Sequence, residues 1–148
     1  MIEVKSATDK DVDVLYDLII AIAKHHNQEQ YVLTTKDELL KSGFIENKNF
    51  EALISYFDGK IAGYVSFTWN YSIWLGGNYM NIDDVFIWEE FRGKKIGEAL
   101  MSRIKEICEE KKVNRVRWEV ETDNFGAIKF YERLGAVMTT KGIFKWTF

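Results

Sequence analysis

The sequence predicts an α/β (α+β) fold with a mixed, partly antiparallel sheet, and three observations support this class. Segments with the two-residue period of strands are interspersed with segments of helical period along the whole chain. The composition does not shift along the 148 residues, which is the length of one domain, so we expect a single domain over residues 1–148. Hydrophobic residues make up 47% of the chain, enough to bury a core without a metal or disulfide.

The predicted elements follow the order βααβββαβαββ, with about seven strands and four helices. The strands are short apolar or alternating runs at residues 2–5, 50–56, 60–69, 79–87, 113–121, 136–139 and 143–148. The helices carry apolar side chains at helical spacing, and we expect them at residues 8–25, 35–41, 93–110 and 124–134. Thr8 and Thr35 are the expected N-caps of the first two helices, and Asp58-Gly59 is a hairpin signal.

Charge and cysteine content exclude several classes of function. There are 20 Lys and Arg against 23 Asp and Glu, so a general nucleic-acid partner is not expected. Cys108 is the only cysteine, which excludes an intrachain disulfide and a cysteine-based zinc site. The adjacent His25 and His26 lack a suitably spaced third ligand, and we therefore expect no metal. The chain has no apolar run of membrane-spanning length and begins without a signal-peptide pattern, which favours a cytoplasmic protein without a membrane partner.

A basic, glycine-containing segment follows the strand predicted at residues 79–87. It reads Arg92-Gly93-Lys94-Lys95-Ile96-Gly97 and begins the next helix. The first N–H groups of a helix are unpaired and carry partial positive charge, and glycines let an anion approach them. The segment therefore predicts a phosphate or pyrophosphate site. The alternative is a basic helix start on a solvated face, because neither the P-loop nor the dinucleotide fingerprint is present.

Two separated motifs resemble those of the GCN5-related N-acetyltransferases. The family's acetyl-CoA loop usually reads Q/R-x-x-G-x-G/A, and residues 92–97 are similar to it, with Lys95 where the middle glycine is expected. Residues 124–136, Asn124-Phe125-Gly126-Ala127-Ile128-Lys129-Phe130-Tyr131-Glu132-Arg133-Leu134-Gly135-Ala136, resemble the family segment N-x-x-A-x-x-F-Y-x-x-x-G-F/A. The resemblance implies a central sheet splayed between strands four and five and acetyl-CoA as cosubstrate.

Further segments resemble the diamine and thialysine N-acetyltransferase branch of this family. They are residues 20–44, 74–76 and 83–86. This resemblance implies a homodimer that acetylates a primary amine of a small molecule. The expected acceptor is a diamine, a polyamine or a lysine-like amine. Ser72 and His26 stand where diamine enzymes carry an aspartate and a glutamate, which argues against simple spermidine or spermine and leaves an amino acid or a lysine-like amine open.

Acetyl transfer to an amine requires a neutral amine, donors for the developing oxyanion and an acid for the departing thiolate. The resemblance implies that Tyr131 is the acid and that Asp83 is the base, acting through water. In a regular strand Asp84 would point to the opposite face from Asp83, and it is a candidate to hold the incoming ammonium group. The alternatives are a core role for Tyr131 and a solvated strand end or salt bridge for the two aspartates.

The resemblance also assigns the remaining contacts. Acetyl-CoA is expected to contact the backbone of Val85, Phe86 and Ile87, the loop residues Arg92, Gly93, Lys94, Lys95, Ile96 and Gly97, and Asn124, Ala127 and Tyr131. The acceptor is expected to contact Asp84, Trp74 and Glu29. An equally supported interpretation is that Trp69, Tyr71 and Trp74 are ordinary aromatic residues of a hairpin or of a dimer contact.

The sequence thus predicts an N-acetyltransferase that works by direct attack of the amine, without a covalent enzyme intermediate. Two alternatives stay open at this point. One is an acetyltransferase that modifies a protein lysine or N-terminus. The other is a CoA-binding sensor module without catalysis, which Lys95 favours slightly and Tyr131 disfavours.

Overall fold

The computed structural model describes residues 1–148, which form two compact units, Met1–Trp118 and Glu119–Phe148. The elements of the first unit are β1 (Ile2–Ser6), α1 (Val12–His25), α2 (Lys36–Gly43), β2 (Glu51–Phe57), β3 (Lys60–Ser72), β4 (Gly77–Ile87), α3 (Ile96–Glu110) and β5 (Val116–Arg117). The second unit contains α4 (Phe125–Arg133). Single 3₁₀ turns lie at Asp9–Asp11, Glu29–Tyr31 and Glu89–Phe91. No helix combines the length and the apolar character needed to span a membrane.

The sheet has the strand order β1-β2-β3-β4-β5. Strands β1 to β4 are antiparallel neighbours, whereas β5 runs parallel to β4, so the prediction of a mixed sheet is confirmed. The prediction of about seven strands is wrong, since the sheet has five and residues 136–139 and 143–148 form no strand. The alternating pattern of these two segments indicates β propensity. Propensity alone does not form a strand, because a strand also requires a partner for its backbone hydrogen bonds.

Apolar residues of the sheet pack on both of its faces. The α3-side cluster joins α3 to one face of the sheet and includes Val65, Phe67, Met80, Ile82 and Leu100. The buried Cys108 belongs to the same cluster and is a packed core thiol. The α1-side cluster on the other face is formed by Leu15, Leu18, Ala52, Ile54, Tyr64 and Phe86. These two clusters define which way each side chain of β4 points.

The predicted caps Thr8 and Thr35 make the expected hydrogen bonds, but Thr8 caps the 3₁₀ turn Asp9–Asp11, and α1 itself begins only at Val12. The Thr8 N–H donates to Asp11 Oδ2 at 2.8 Å while the Thr8 hydroxyl accepts from the backbone of Lys10, which forms a capping box. Thr35 Oγ1 accepts from the N–H of Glu38 at 3.1 Å and so caps α2. Thr35 therefore fixes the start of α2, and Thr8 fixes the start of the 3₁₀ turn that leads into α1.

Candidate active site

A β-bulge interrupts β4 in its second half. Ser66 of β3 is paired with Asp84 and the next residue, Phe67, is paired with Ile82, so Asp83 is an extra residue on β4. A bulge of this kind bends the strand and re-aims the side chains around it. The regular alternation assumed for Asp83 and Asp84 therefore does not apply here.

The bulge places the acid pair, Asp83 and Asp84, on the same face of the sheet. Asn81 lies between two residues of the α3-side cluster and so faces the opposite way, and its Nδ2 donates to Asp83 Oδ1 at 3.1 Å. Tyr64 belongs to the α1-side cluster, and its hydroxyl donates to Asp84 Oδ2 at 2.7 Å. Both carboxylates thus lie on the α1 side, and the expectation of opposite faces is wrong.

The two acids differ in their surroundings. Partial loss of hydration and the nearby charge of Asp84 raise the pKa of Asp83, although its side chain still reaches solvent. Burial, followed by the charge of Asp84, raises the pKa of Tyr64 far above its usual value, so Tyr64 is a neutral hydrogen-bond donor. Asp83 is therefore an accessible carboxylate with a raised pKa, whereas Asp84 is hydrogen-bonded to a buried residue of the core.

Tyr64 is a site residue that sequence reasoning missed. It is 1% exposed and lies in the apolar run of β3, where a tyrosine is most simply read as part of the core. The signal that could have revealed it is its hydroxyl, because a buried tyrosine hydroxyl needs a partner and two acids were predicted on the adjacent strand.

The basic loop, residues 92–97, connects β4 to α3 and has an unusual backbone. Gly93 and Lys95 adopt positive φ angles of 76° and 65°. A side chain on Gly93 would meet no heavy atom within 4 Å, so the glycine leaves open space beside the loop. The conformation at Lys95 explains why a glycine is expected there, since only glycine adopts it without strain.

The loop presents free backbone donors beside positive charge. Gly93, Lys94 and Lys95 donate no backbone hydrogen bond, and the first N–H groups of α3 have no partner within their helix. Together with the open space beside Gly93, this arrangement fits a phosphate or pyrophosphate group. Arg92 also holds the loop in place, because its Nε donates to the carbonyl oxygen of Ile87 at 3.0 Å and its guanidinium lies 5.8 Å from the ring centre of Phe86.

Beyond Asn81, the edge of β4 that faces β5 is not paired with β5. Within the first unit, β5 pairs with β4 only at Met80 and Asn81. The backbone from the acid pair to Ile87 is paired on its other edge, with β3, and carries no β5 partner. The segment Val85–Ile87 predicted to bind acetyl-CoA thus lies where β4 has no β5 partner, which we call the open strand edge, and the 3₁₀ turn Glu89–Phe91 separates it from the basic loop.

The remaining predicted site residues belong to other elements of the chain. In the second unit the Asn124 Oδ1 accepts from the N–H of Ala127 at 3.3 Å and caps α4. Tyr131 lies on the same helix, and burial raises the pKa of its phenol. Glu29 is exposed in the short turn after α1.

Trp74 is set apart from the acid pair. It lies in the turn between β3 and β4 and is 99% exposed. The strand from Gly77 to Asp83 covers about 20 Å at the usual rise per residue. Trp69, by contrast, has a structural partner, because its Nε1 donates to Glu51 Oε2 at 2.8 Å. The structure therefore brings the acid pair, the open strand edge and the loop together along one segment, and it leaves Trp74 outside that group.

The family of the chain follows from comparison with known proteins. Residues 14–136 match the family described as the acetyltransferase (GNAT) family. Because this match covers most of the chain, the chain belongs to the GNAT family and is a GNAT-type N-acetyltransferase. Enzymes of this family use acetyl-CoA as the acetyl donor, which agrees with the anion-binding character of the basic loop.

Individual relatives and solved structures agree with this family. The chain is 28% identical over 146 residues to a thialysine N-epsilon-acetyltransferase of Caenorhabditis elegans, which covers 99% of this chain and 89% of the relative. An aminoglycoside acetyltransferase from an uncultured soil metagenomic sample is similar in structure, with a TM-score of 0.85, 16% identity and coverage of 99% of this chain and 96% of that one. AAC(6′)-Iy in complex with a bisubstrate analogue, CoA-S-monomethyl-acetylneamine, gives a TM-score of 0.77 at 15% identity and covers 99% and 98% of the two chains.

Proposed function

We propose that the protein transfers the acetyl group of acetyl-CoA to the side-chain amine of a small, lysine-like molecule. The observation that carries this proposal is the acid pair, which lies on one face of β4, next to the open strand edge and before the basic loop. A carboxylate pair at this position suits an acceptor that arrives as an ammonium ion and reacts as a neutral amine. The similarity to a thialysine N-epsilon-acetyltransferase supports a lysine-like acceptor over a protein substrate.

Acetyl-CoA supplies the acetyl group as a thioester when it is bound. The backbone N–H groups of Gly93, Lys94 and Lys95 and of the first turn of α3 would hold its pyrophosphate, since they are free and lie beside two lysines. The open edge of Val85–Ile87 would hold the pantetheine arm as an added strand and would donate to the developing oxyanion.

The two aspartates would have different roles toward the acceptor amine. Asp84, tied to the core by Tyr64, would attract and hold the ammonium group. Asp83, whose pKa is raised by lost hydration and by Asp84, is better suited to accept the proton, directly or through water. Once neutral, the amine would attack the thioester without an enzyme-bound intermediate.

We assign the acid for the departing thiolate to Tyr131. Burial raises the pKa of this phenol, which keeps it protonated at neutral pH and able to donate. Asn124 and Ala127, which share the N-terminal cap of the same helix, would contact acetyl-CoA. Glu29 would contact the acceptor.

Trp74 fits the proposal best through a second copy of the chain. The strand between Gly77, three residues after Trp74, and Asp83 covers about 20 Å, which is too long for a contact with a short acceptor bound in the same chain. Tyr71, Ile73, Trp74 and Leu75, which we call the hairpin tip, are all exposed apolar side chains. We therefore propose a homodimer in which the hairpin tip packs against the partner.

A turnover assay with acetyl-CoA and a panel of amines tests the proposed function. The panel contains thialysine and lysine, a diamine, a polyamine, and peptides with a free lysine or a free N-terminus. We expect the highest kcat/KM with a lysine-like amine. Preference for a peptide would favour the protein acetyltransferase, and acetyl-CoA binding without turnover of any amine would favour the sensor module.

A further inference from the structure

We propose that Tyr64 is a positioning residue, whose buried hydroxyl fixes the Asp84 carboxylate for binding of the acceptor ammonium group. This inference rests on the proposed function, in which Asp84 holds the acceptor. It assigns a role in acceptor affinity to a core residue that touches neither acetyl-CoA nor the acceptor.

The hydrogen bond between Tyr64 and Asp84 connects the hydrophobic core to the acid pair. Tyr64 is 1% exposed and packs in the α1-side cluster with Leu15, Leu18 and Phe86. Its ring therefore has little freedom to move, and its hydroxyl donates to Asp84 Oδ2 at 2.7 Å. A short hydrogen bond from a fixed neutral donor to a carboxylate is among the stronger ones in proteins.

The bond occupies one carboxylate oxygen and leaves the other available. With Oδ2 held by Tyr64, Oδ1 of Asp84 remains to accept from an ammonium group. The donor is uncharged and stays so, because burial and the charge of Asp84 raise the pKa of the Tyr64 phenol. Asp84 is thus oriented without being neutralised, as it would be by a lysine or arginine partner, and it keeps its full attraction for a cationic acceptor.

Asp83 is held in a different way. Its hydrogen bond comes from Asn81, a half-buried residue two positions away on β4, rather than from the core. Asp83 can therefore change its position as it gains or loses a proton, whereas Asp84 stays in place. Fixing one acid and leaving the other mobile suits a site in which one acid binds and the other accepts the proton.

A purely structural explanation is that Tyr64 is a core residue whose hydroxyl uses Asp84 only to avoid being unsatisfied. The two explanations differ in one respect. A structural role predicts a loss of stability with no selective effect on the acceptor, whereas a positioning role predicts a rise in the KM for the acceptor that depends on the charge of Asp84.

The test is a double-mutant cycle with Tyr64→Phe and Asp84→Asn, measured with the best amine of the panel. Tyr64→Phe keeps the ring and removes the donor, and we expect the acceptor KM to rise about fivefold, with kcat and the acetyl-CoA Kd within twofold of the parent. In the Asp84→Asn background, where the side chain still accepts from Tyr64 but carries no charge, the further change Tyr64→Phe should leave KM unaltered.

The matched control is Tyr79→Phe, which removes a tyrosine hydroxyl from β4 that accepts from Asn70 and lies outside the acid pair. It should leave the acceptor KM unchanged. Thermal unfolding of each variant checks that it is folded. An unchanged KM in a folded Tyr64→Phe variant, or equal effects in both backgrounds, would overturn the inference. A parent protein that acetylates no amine would instead overturn the proposed function, so the two failures are distinguishable.

Discussion

The negative charge of Asp83 opposes folding. Lost hydration and the nearby Asp84 raise its pKa above the usual 3.8, so the folded protein binds this proton more tightly than the unfolded chain does. Asp83 therefore favours folding below pH 3.8, and that contribution is lost as the pH rises through the folded-state pKa. At neutral pH the ionised side chain destabilises the fold, and Asp83→Asn should remove this cost.

We expect Asp83→Asn to raise the free energy of unfolding at pH 7 by less than about 1 kcal/mol, because water screens an accessible carboxylate. Urea unfolding at pH 7 and pH 3 measures this, and the difference from the parent should shrink at pH 3. Glu46→Gln, in the exposed loop after α2, makes the same change in net charge and is the control. A gain that is independent of pH, or equal in the control, would contradict the explanation.

Tyr131 is the residue on which the proposed mechanism depends most. Tyr131→Phe removes one oxygen and keeps the ring, so kcat should fall by about 10²-fold, toward the lower end of general acid catalysis, because a thiolate is already a passable leaving group. Acetyl-CoA affinity should change much less, since the hydroxyl acts mainly as charge develops on sulfur. The comparison is kcat beside the acetyl-CoA Kd, with Tyr71→Phe on the exposed hairpin tip as control. Turnover within twofold of the parent would make Tyr131 a core residue.

The basic loop contains one residue whose strained backbone conformation lowers the stability of the fold. Lys95 adopts φ of 65°, a conformation in which a residue with a side chain is strained by about 1 kcal/mol or more. Lys95→Gly should relieve the strain while adding freedom to the unfolded chain, for a net gain of up to about 1 kcal/mol. Lys94→Gly is the matched control, because Lys94 is not in this conformation and its replacement should reduce stability. Denaturant unfolding measures the free energy of unfolding of both variants. A loss of stability in Lys95→Gly would contradict the explanation that Lys95 is strained.

The sequence predicts an element well when the interactions that form it join residues close together in the chain. The 3₁₀ turn that leads into α1 and the start of α2 were predictable, because Thr8 and Thr35 accept from the free N–H groups at these starts. The bulge at Asp83 was not, because it results from the pairing of β4 with β3 rather than from either strand alone. The same limit applies to the segments after α4, whose alternating residues predict strands that the structure does not contain. The basic loop was found because its glycines and lysines carry the signal themselves, whereas Tyr64 depends on a neighbour in space.

At the scale of the whole molecule, the family match and the compact units divide the chain differently. The chain forms two compact units with their boundary after Trp118, yet residues 14–136 match one family across that boundary. We interpret this as one N-acetyltransferase domain over residues 1–148, because the family match runs across the boundary between the units. On this interpretation neither unit alone would acetylate an amine.

The hairpin tip leads to a prediction about assembly. Its four apolar side chains are exposed, including Ile73 at 87% and Trp74 at 99%, and a cluster of this kind commonly marks a protein interface. The net charge of −3 opposes association only weakly. We therefore expect the protein to have about twice the chain mass of 17.4 kDa in light scattering after size exclusion.

Replacing the central side chain of the tip tests the same interface. Trp74→Ser should weaken the dimer by at least about tenfold, because truncation of a buried interface tryptophan commonly costs 2 kcal/mol or more. Lys60→Ser, at the opposite end of the β3–β4 hairpin, is the control and should leave the mass unchanged. If Trp74 also contacts the acceptor bound to the partner, the acceptor KM should rise as the dimer dissociates on dilution. A parent protein that is monomeric at every concentration would contradict this assembly, and Trp74 would then remain an exposed residue of the hairpin.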